Sequence, residues 1–149
     1  MPEFQYAKGR IVETIQYISE EMKEFDAEYA GKTREEYQDD KKLQKLIDRT
    51  VENILTAFIE VCGTILSEEG TGVDSYSDAI KKAAQKFKFS KEDQETLARL
   101  AIQRNRLAHR YLNFRWEAIK TFKSQRHLIV KLITGILDKE KAEREKSKD

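Results

Sequence analysis

The sequence predicts an all-α protein, built as an antiparallel bundle of four to five helices. Pro2 is the one proline, and six glycines are spread over 149 residues, so little in the chain interrupts a helix. Lys and Glu, which favour helices, are abundant. Apolar residues recur at helical spacing over several long segments. Helices connected by short loops are typical of an antiparallel bundle.

Length and composition predict a single domain. The chain has 149 residues, of which 39% are hydrophobic and 37% charged. Single domains cluster near about 100 to 150 residues, and this apolar fraction is low without being typical of a disordered chain. We expect a helical domain over residues 1–138 and a charged, flexible C-terminal tail over residues 139–149.

The first two helices are predicted from their apolar periodicity. The first runs from Lys8 to about Tyr29, with apolar residues at alternating steps of four and three. A polar stretch over residues 30–40 then ends in two acids, which suit the start of a second helix that runs to about Ser67. Its second half is apolar on more than one side, which places it either at the centre of a bundle or in a dimer interface. The inner face of this helix is predicted to contain Leu43, Leu46, Ile47, Ile54 and Phe58.

The remaining helices follow a loop. Glycines and serines over residues 68–77 predict the loop, and a short helix follows from Asp78 to about Phe87. Ser90, followed by two acids, resembles the start of a fourth helix. A last helix carries apolar residues from Ile119 to Leu137. The apolar stripe of the fourth helix is Leu97, Leu100, Ala101, Ala108 and Tyr111.

Charge and cysteine usage exclude several classes of protein. The formal net charge of +1 excludes a uniformly basic nucleic-acid coat protein. Cys62 is the one cysteine, so an intramolecular disulfide is excluded, and no Cys/His cluster offers zinc ligands. No stretch resembles a membrane span or a signal peptide. We expect a cytoplasmic protein without a metal, a cofactor or a membrane partner.

One segment departs from the helical pattern. Arg104 lies on the apolar stripe of the fourth helix, where an arginine without partners would be costly to bury. Five arginines and no acid occur between Thr96 and Trp116. In a nearly neutral chain this predicts a local surface that attracts phosphate. The five arginines are Arg99, Arg104, Arg106, Arg110 and Arg115.

The same segment resembles a known family. Arg104, His109 and Tyr111 match the R-x4-H-x-Y signature of the HepT-like proteins, a branch of the HEPN superfamily. The resemblance extends from about Ile11 to Phe122. It includes the long first helix, an arginine in the second helix at Arg49 and the turn over residues 75–78.

This resemblance implies a HEPN-like homodimer with a specific activity. Such a protein is a metal-independent endoribonuclease that acts as the toxin of a type II- or type VII-like toxin–antitoxin pair. Its RNA substrate is one partner, and its antitoxin is the other. That antitoxin is a minimal nucleotidyltransferase, which transfers AMP to the motif tyrosine, here Tyr111. Bulky anionic AMP at that position would repel an incoming RNA phosphate.

The residues themselves suit RNA cleavage. An imidazole titrates near about pH 6.5, so His109 suits proton transfer to and from the ribose and leaving-group oxygens. Arg104 suits a phosphate and its transition-state charge. Asn105 precedes His109 by one helical turn and would assist it. Arg106 and Arg110 are predicted to face the substrate as accessories. On an ideal helix, however, Arg104 and His109 would lie about 140° apart.

That angle leaves three alternatives open. The long arginine side chain closes the gap, the helix is distorted, or groups from two protomers meet at a two-fold axis. A dimer would also pair two copies of His109, which matters because His127 is the one other histidine in the chain.

Structural interpretations remain for several residues. Tyr111 would equally suit the core. Phe114 and Trp116 could stack on bases, but aromatic residues at the start of an amphipathic helix are more often core or interface anchors, and we expect them in the core. His127 is expected at the surface, and Asp78 and Glu52 are left out of the catalytic set. Two further functions stay open for the whole chain. One is a nucleotide-binding or scaffolding partner of a minimal nucleotidyltransferase, and the other is a purely structural helical dimer.

Overall fold

The computed structural model describes Pro2, Phe4, residues 7–108 and residues 111–147, without the side chain of Ser147. Over these residues the chain is all-helical, which confirms the predicted fold class. No strand occurs in the described part of the chain. Its α-helices are α1 (Ile11–Glu24), α2 (Arg34–Asp39), α3 (Lys41–Glu68), α4 (Tyr76–Lys86), α5 (Lys91–Ala98), α6 (Leu100–Leu107) and α7 (Leu112–Ser147).

Helix α3 is the centre of the bundle. It packs against α1, α2, α4, α6 and α7. All six residues from Val61 to Leu66 are buried, so the apolar residues on several sides of this helix are covered within one chain. Of the two positions left open for this segment, the structure confirms the central one.

The length and apolar composition of α3 are also those of a membrane-spanning helix, but 72% of its most apolar window is buried inside the bundle. It is the one such helix in the ranges that the structure describes. Burial of this kind is what the core helix of a soluble protein shows.

The first helix ends as the periodicity predicts. After Glu24 the helix widens into one π-helical turn, Phe25–Tyr29, in which the Ala30 N–H donates to the Phe25 carbonyl over 2.8 Å. The Phe25 ring packs edge-on against Phe122 of α7, with ring centroids 5.0 Å apart. This contact joins the end of α1 to the last helix.

Helix α2 lies in the stretch that the sequence analysis treated as a polar connection. Thr33 and Glu36 form a reciprocal capping box, in which the Thr33 hydroxyl accepts from the Glu36 N–H and the Glu36 carboxylate accepts from the Thr33 N–H. Tyr37 of this helix is fully buried. A short helix therefore adds an aromatic side chain to the core.

The predicted fourth helix is two shorter helices. The chain bends at Arg99, where the Ile102 N–H bonds to the Arg99 carbonyl, three residues back. Helix α6 then ends at Leu107. Ala108 and Tyr111, predicted for the apolar stripe, are exposed instead, because they lie beyond the helix whose periodicity was extended to them. Leu46, predicted for the inner face of the second helix, is also 45% exposed.

The charged C-terminal segment is helical as far as Ser147, because α7 continues through it. The expectation of a flexible tail over residues 139–149 stays a prediction. Lys139 lies 3.9 Å from the Glu143 carboxylate, one turn further along the helix, and such pairs support an exposed helix. The division of the chain at residue 138 stays a prediction.

Candidate functional site

A groove open to solvent lies between the start of α1, the outer stripe of α3 and α6. Its volume is about 640 Å³. Pockets of about 300 to 1,000 Å³ are the size that bound small molecules occupy. The lining residues are Arg10, Glu13, Thr14, Tyr17, Arg49, Glu52, Asn53, Thr56, Ala57, Glu60 and Arg104.

Arg104, the arginine of the predicted motif, lines this groove and is half-buried. Its Nε donates a 2.9 Å hydrogen bond to the Thr56 hydroxyl of α3. Its guanidinium carbon lies 5.7 Å from the centroid of the Tyr76 ring, within the range of a cation–π contact. These contacts orient the guanidinium, and its partners are a hydroxyl and a ring without charge.

Tyr76 is held beside Arg104 by the start of α4. The Ser75 hydroxyl caps this helix by accepting from the Asp78 N–H over 3.0 Å. The Asp78 carboxylate in turn accepts from the Asp74 N–H over 2.9 Å, and that hydrogen bond, together with Lys82, lowers the pKa of Asp78. Asp78 therefore stabilises a helix N-terminus, as its structural interpretation holds.

The Phe4 ring also packs against Tyr76. The two ring centroids are 6.0 Å apart in an edge-on arrangement. The Phe4 ring also occupies the space that a Cβ at position 63 would need, which explains the glycine at Gly63 in the middle of α3. Phe4, Tyr76 and Arg104 thus form a continuous stack of contacts.

The groove contains two further arginines, Arg10 and Arg49, and both are exposed. The ion pairs in the described ranges include neither of these residues, nor Arg104. The groove is also lined by Glu13, Glu52 and Glu60, and Glu13 lies 3.7 Å from Arg144. The three guanidinium groups are therefore available to an external anion.

The rest of the predicted motif follows α6. Asn105 is exposed on α6, and Arg106 is half-buried with a long, 3.4 Å hydrogen bond to Gln103. Tyr111 is 68% exposed and precedes α7, its ring 5.9 Å from that of Phe114. The core interpretation of Tyr111 is therefore wrong. His109 and Arg110 lie outside the described residues, and their assigned roles stay predictions.

The helical geometry that separated Arg104 from His109 does not apply here. Helix α6 ends at Leu107 and closes with a bond from the Ala108 N–H to the Asn105 carbonyl, three residues back. The motif therefore does not lie on one continuous helix. The angle of about 140° derived for an ideal helix no longer constrains the two groups.

Arg115, the last of the five clustered arginines, belongs to the interior. One of its terminal nitrogens lies 2.6 Å from the Asp48 carboxylate of α3, and the side chains are only 17% and 13% exposed. The Tyr37 hydroxyl donates to the other Asp48 oxygen over 2.6 Å. The prediction that all five arginines form one phosphate-attracting surface is wrong for Arg115, because its charge is already paired.

Burial dominates the titration of this network, which joins α2, α3 and α7. It raises the pKa of Asp48, although the hydrogen bonds from Tyr37 and Arg115 act in the opposite direction. Burial and the bond to Asp48 also raise the pKa of Tyr37. The network fixes the start of α7, and with it one flank of the motif.

Other candidate residues are distributed as follows. Trp116 is half-buried against Tyr37, with ring centroids 5.1 Å apart, so its core interpretation is confirmed. Phe114 is 48% exposed, so the core position expected for it is wrong, and a role as an interface anchor stays a prediction. His127 is at the surface, as expected, and Glu52 lines the groove.

Another cavity lies between the ends of α3, α4 and α7. Its volume is about 160 Å³. Lys86 and Lys139 both pair with Glu69 there, so its charges are largely compensated within the chain. A bound anion would therefore find fewer unpaired cationic groups in this cavity than in the groove. Over the described ranges, no group of three or more Asp, Glu, His or Cys side chains is arranged to hold a metal ion.

Two residues that contact Arg104, Thr56 and Tyr76, were not predicted from the sequence. A signal for the first was present in α3. Polar residues recur at steps of three and four on this largely apolar helix, which marks a stripe that does not pack in the core. No comparable pattern indicated Tyr76. The polar stripe is Arg49, Asn53, Thr56 and Glu60.

The fold and the groove thus define an all-helical domain with an arginine-lined site next to an R-x4-H-x-Y sequence. The sequence matches the family described as Ribonuclease HepT-like over residues 14–128. The chain belongs to the HepT-like ribonuclease family. A search of the curated proteins finds no match to it.

Proposed function

We propose that this protein is an endoribonuclease toxin that cleaves RNA with Arg104 and His109. The observation that carries the proposal is the position of Arg104. Its guanidinium is oriented by Thr56 and Tyr76, has no carboxylate partner in the described ranges, and lines a groove open to solvent. Membership of the HepT-like ribonuclease family supports RNA as the substrate.

The proposed reaction needs no metal ion. The ribose 2′-oxygen attacks the adjacent phosphorus, the bond to the 5′-oxygen breaks, and a 2′,3′-cyclic phosphate is left. His109 takes the proton from the 2′-hydroxyl or gives one to the 5′-oxygen. Arg104 binds the non-bridging oxygens and stabilises the charge that grows on them. Asn105, with Arg106 and Arg110, assists in holding the phosphate.

A homodimer would supply both proton-transfer groups. One protomer carries one motif histidine, whereas the reaction needs a base and an acid, and a two-fold axis would bring in a second His109. Exposed apolar side chains around the motif support an interface there. Ile102 is 48% exposed, Phe114 48% and Tyr111 68%.

Tyr111 is proposed as the regulatory site, in a cytoplasmic toxin–antitoxin pair of type II- or type VII-like organisation. Its exposure supports modification by a minimal nucleotidyltransferase antitoxin, which would transfer AMP to the hydroxyl. The added phosphate would then repel RNA from the same site. Tyr111→Phe should cleave RNA as the wild type does and accept no AMP from that enzyme.

RNA cleavage by the purified protein in the presence of a chelator tests the proposal. We expect Arg104→Ala and His109→Ala to abolish both cleavage and growth inhibition while the protein remains folded. Two matched controls should retain activity. His127→Ala removes the other histidine, which is exposed on α7, and Arg126→Ala removes an arginine that pairs with Asp26 away from the groove.

The outcomes separate the candidate functions. Cleavage retained in either Arg104→Ala or His109→Ala would remove that residue from the mechanism. RNA or nucleotide binding without cleavage by the wild type would favour the non-catalytic partner of a nucleotidyltransferase. If Arg104→Ala and His109→Ala both keep wild-type RNA binding and toxicity, the result would favour the purely structural helical dimer.

A further inference from the structure

The groove extends well beyond the residue that would contact the cleaved phosphate. Arg104 is bonded to Thr56 at one part of the groove, and Arg49 lies seven residues earlier on the same stripe of α3. Seven residues of α-helix correspond to about 10 Å along the axis. The groove therefore has room for more of a ligand than one phosphate group.

Arg49 is placed to bind a second phosphate. Arg49 is exposed, lines the groove and takes part in none of the ion pairs within the described part of the chain. The groove is also lined by three glutamates, Glu13, Glu52 and Glu60, of which Glu13 lies 3.7 Å from Arg144. A guanidinium presents a planar fork of donors that matches two phosphate oxygens.

Two other residues of the groove suit a nucleobase. Tyr17 of α1 lines the groove and is 39% exposed, and Asn53 lies one helical turn after Arg49 on α3. Bases stack on exposed aromatic rings, and an amide side chain both donates and accepts hydrogen bonds. Stacking on a protein ring needs a base that is not stacked in a duplex, which favours a single strand.

We propose that this groove binds the single-stranded RNA adjacent to the cleaved phosphodiester, with Arg49 holding a neighbouring phosphate and Tyr17 stacking on a base. That the bound strand is RNA rests on the proposed function. Arg49 is then a substrate-binding residue outside the R-x4-H-x-Y sequence, and the bound segment runs along α3 from Thr56 towards Arg49.

The test is binding of a single-stranded 2′-O-methyl RNA oligonucleotide, which lacks the attacking hydroxyl and cannot be cleaved by the proposed reaction. Fluorescence anisotropy would give its affinity for the full chain at several salt concentrations. For Arg49→Ala we expect weaker binding and a slope of log affinity against log salt that is smaller by about 0.7, the value for one phosphate contact to a single strand.

Lys45→Ala is the matched control. Lys45 is exposed on α3, one turn before Arg49, and does not line the groove. The Lys45→Ala variant loses one positive charge from the same helix but outside the groove, so its slope should equal that of the wild type. Circular dichroism melting of all three proteins checks that neither substitution alters the fold.

Three results would overturn the proposal. The wild type does not bind the oligonucleotide, Arg49→Ala keeps the wild-type slope, or Lys45→Ala loses as much as Arg49→Ala. Cleavage is measured separately, so the two proposals fail separately. If the wild type cleaves RNA and Arg49→Ala keeps the wild-type slope, the proposal that the groove binds RNA is wrong and the ribonuclease proposal stands. If Arg49→Ala has a reduced slope but the wild type does not cleave RNA, the proposed ribonuclease activity is wrong and RNA binding in the groove stands.

Discussion

Arg104 begins the R-x4-H-x-Y sequence and Arg115 follows it shortly after, yet the surroundings of the two side chains differ. Both are half-buried. Arg115 lies 2.6 Å from the carboxylate of Asp48, within a network that includes Tyr37. Arg104 is bonded to the Thr56 hydroxyl and lies over the Tyr76 ring, beside an open groove.

The difference shows which property distinguishes a structural arginine from a functional one. The degree of burial does not distinguish the two arginines, since it is similar for both. The charge of the partner does, because a carboxylate neutralises the guanidinium, whereas a hydroxyl orients it and leaves its charge for a ligand. The lopsided charge of the segment could not separate them, since both residues count equally in it.

The largest expected effect on stability comes from breaking the Arg115 network. Arg115→Ala leaves the mostly buried Asp48 carboxylate without its cation, and we expect a loss of about 3 kcal/mol. For a domain of this size that lowers the melting midpoint by roughly 6 to 12 °C. Arg104→Ala should change stability by less than about 1 kcal/mol, because no acid loses its partner.

Chemical denaturation of both variants measures this contrast directly. A loss for Arg104→Ala equal to that for Arg115→Ala would contradict the distinction between the two arginines. Asp48→Asn combined with Arg115→Met serves as a control, because removing both charges should recover part of the stability lost in the single variant.

A smaller effect, on activity, is expected at Thr56. Thr56→Val keeps the side-chain shape but removes the hydrogen bond that orients Arg104. Because a hydrogen bond to a charged group contributes about 1.5 to 3 kcal/mol, we expect kcat for RNA cleavage to fall about tenfold or more, with a smaller change in KM. Thr56→Ser should restore most of the activity.

Thr50→Val is the matched control in the same helix. The Thr50 hydroxyl bonds to the Leu46 carbonyl and does not contact Arg104. Its substitution should affect stability and leave kcat unchanged. A normal kcat in Thr56→Val, or no rescue in Thr56→Ser, would mean that Thr56 does not position the arginine.

The smallest expected effect concerns pH and the support of Tyr76. The pKa of Asp78 is lowered first by the hydrogen bond from the Asp74 N–H and then by Lys82. A lowered folded-state pKa gives stability that is present above the ordinary pKa of 3.8 and is lost as the pH falls through the folded-state value. Asp78→Asn should therefore melt below the wild type at pH 6, with the difference shrinking towards pH 2.5.

Melting curves at several pH values check this expectation. A difference that stays constant with pH would mean that ionisation of Asp78 contributes nothing to the start of α4. The same titration of Arg104→Ala should follow the wild-type pH dependence, because that arginine has no carboxylate partner in the described ranges.

The long helices were predictable from the sequence because their signals are strong. For α3 the apolar periodicity and the acid at Asp40 predicted a helix to about Ser67, and the helix is Lys41–Glu68 with the Asp40 carboxylate capping it. The capping pattern that starts α2 at Thr33 was also present in the sequence, but the helix has only six residues and shows little periodicity.

The breaks around the motif were not predictable. The bend at Arg99 and the end of α6 at Leu107 occur without glycine or proline, so tertiary packing decides them. For the site, the sequence identified Arg104 as a residue that breaks the apolar pattern. Its contacts with Thr56 and Tyr76 join distant parts of the chain, and one sequence contains no direct signal for such contacts.

The packing of Phe4 on Gly63 and Tyr76 has a practical consequence. The Tyr76 ring next to the proposed catalytic guanidinium contacts Phe4, a residue near the start of the sequence. Phe4 can pack against the central helix only because position 63 lacks a side chain. An affinity tag or a truncation ahead of Ala7 that displaces Phe4 would therefore alter the position of Tyr76 and, through it, of Arg104. Recombinant protein for kinetic work should carry its tag at the other end.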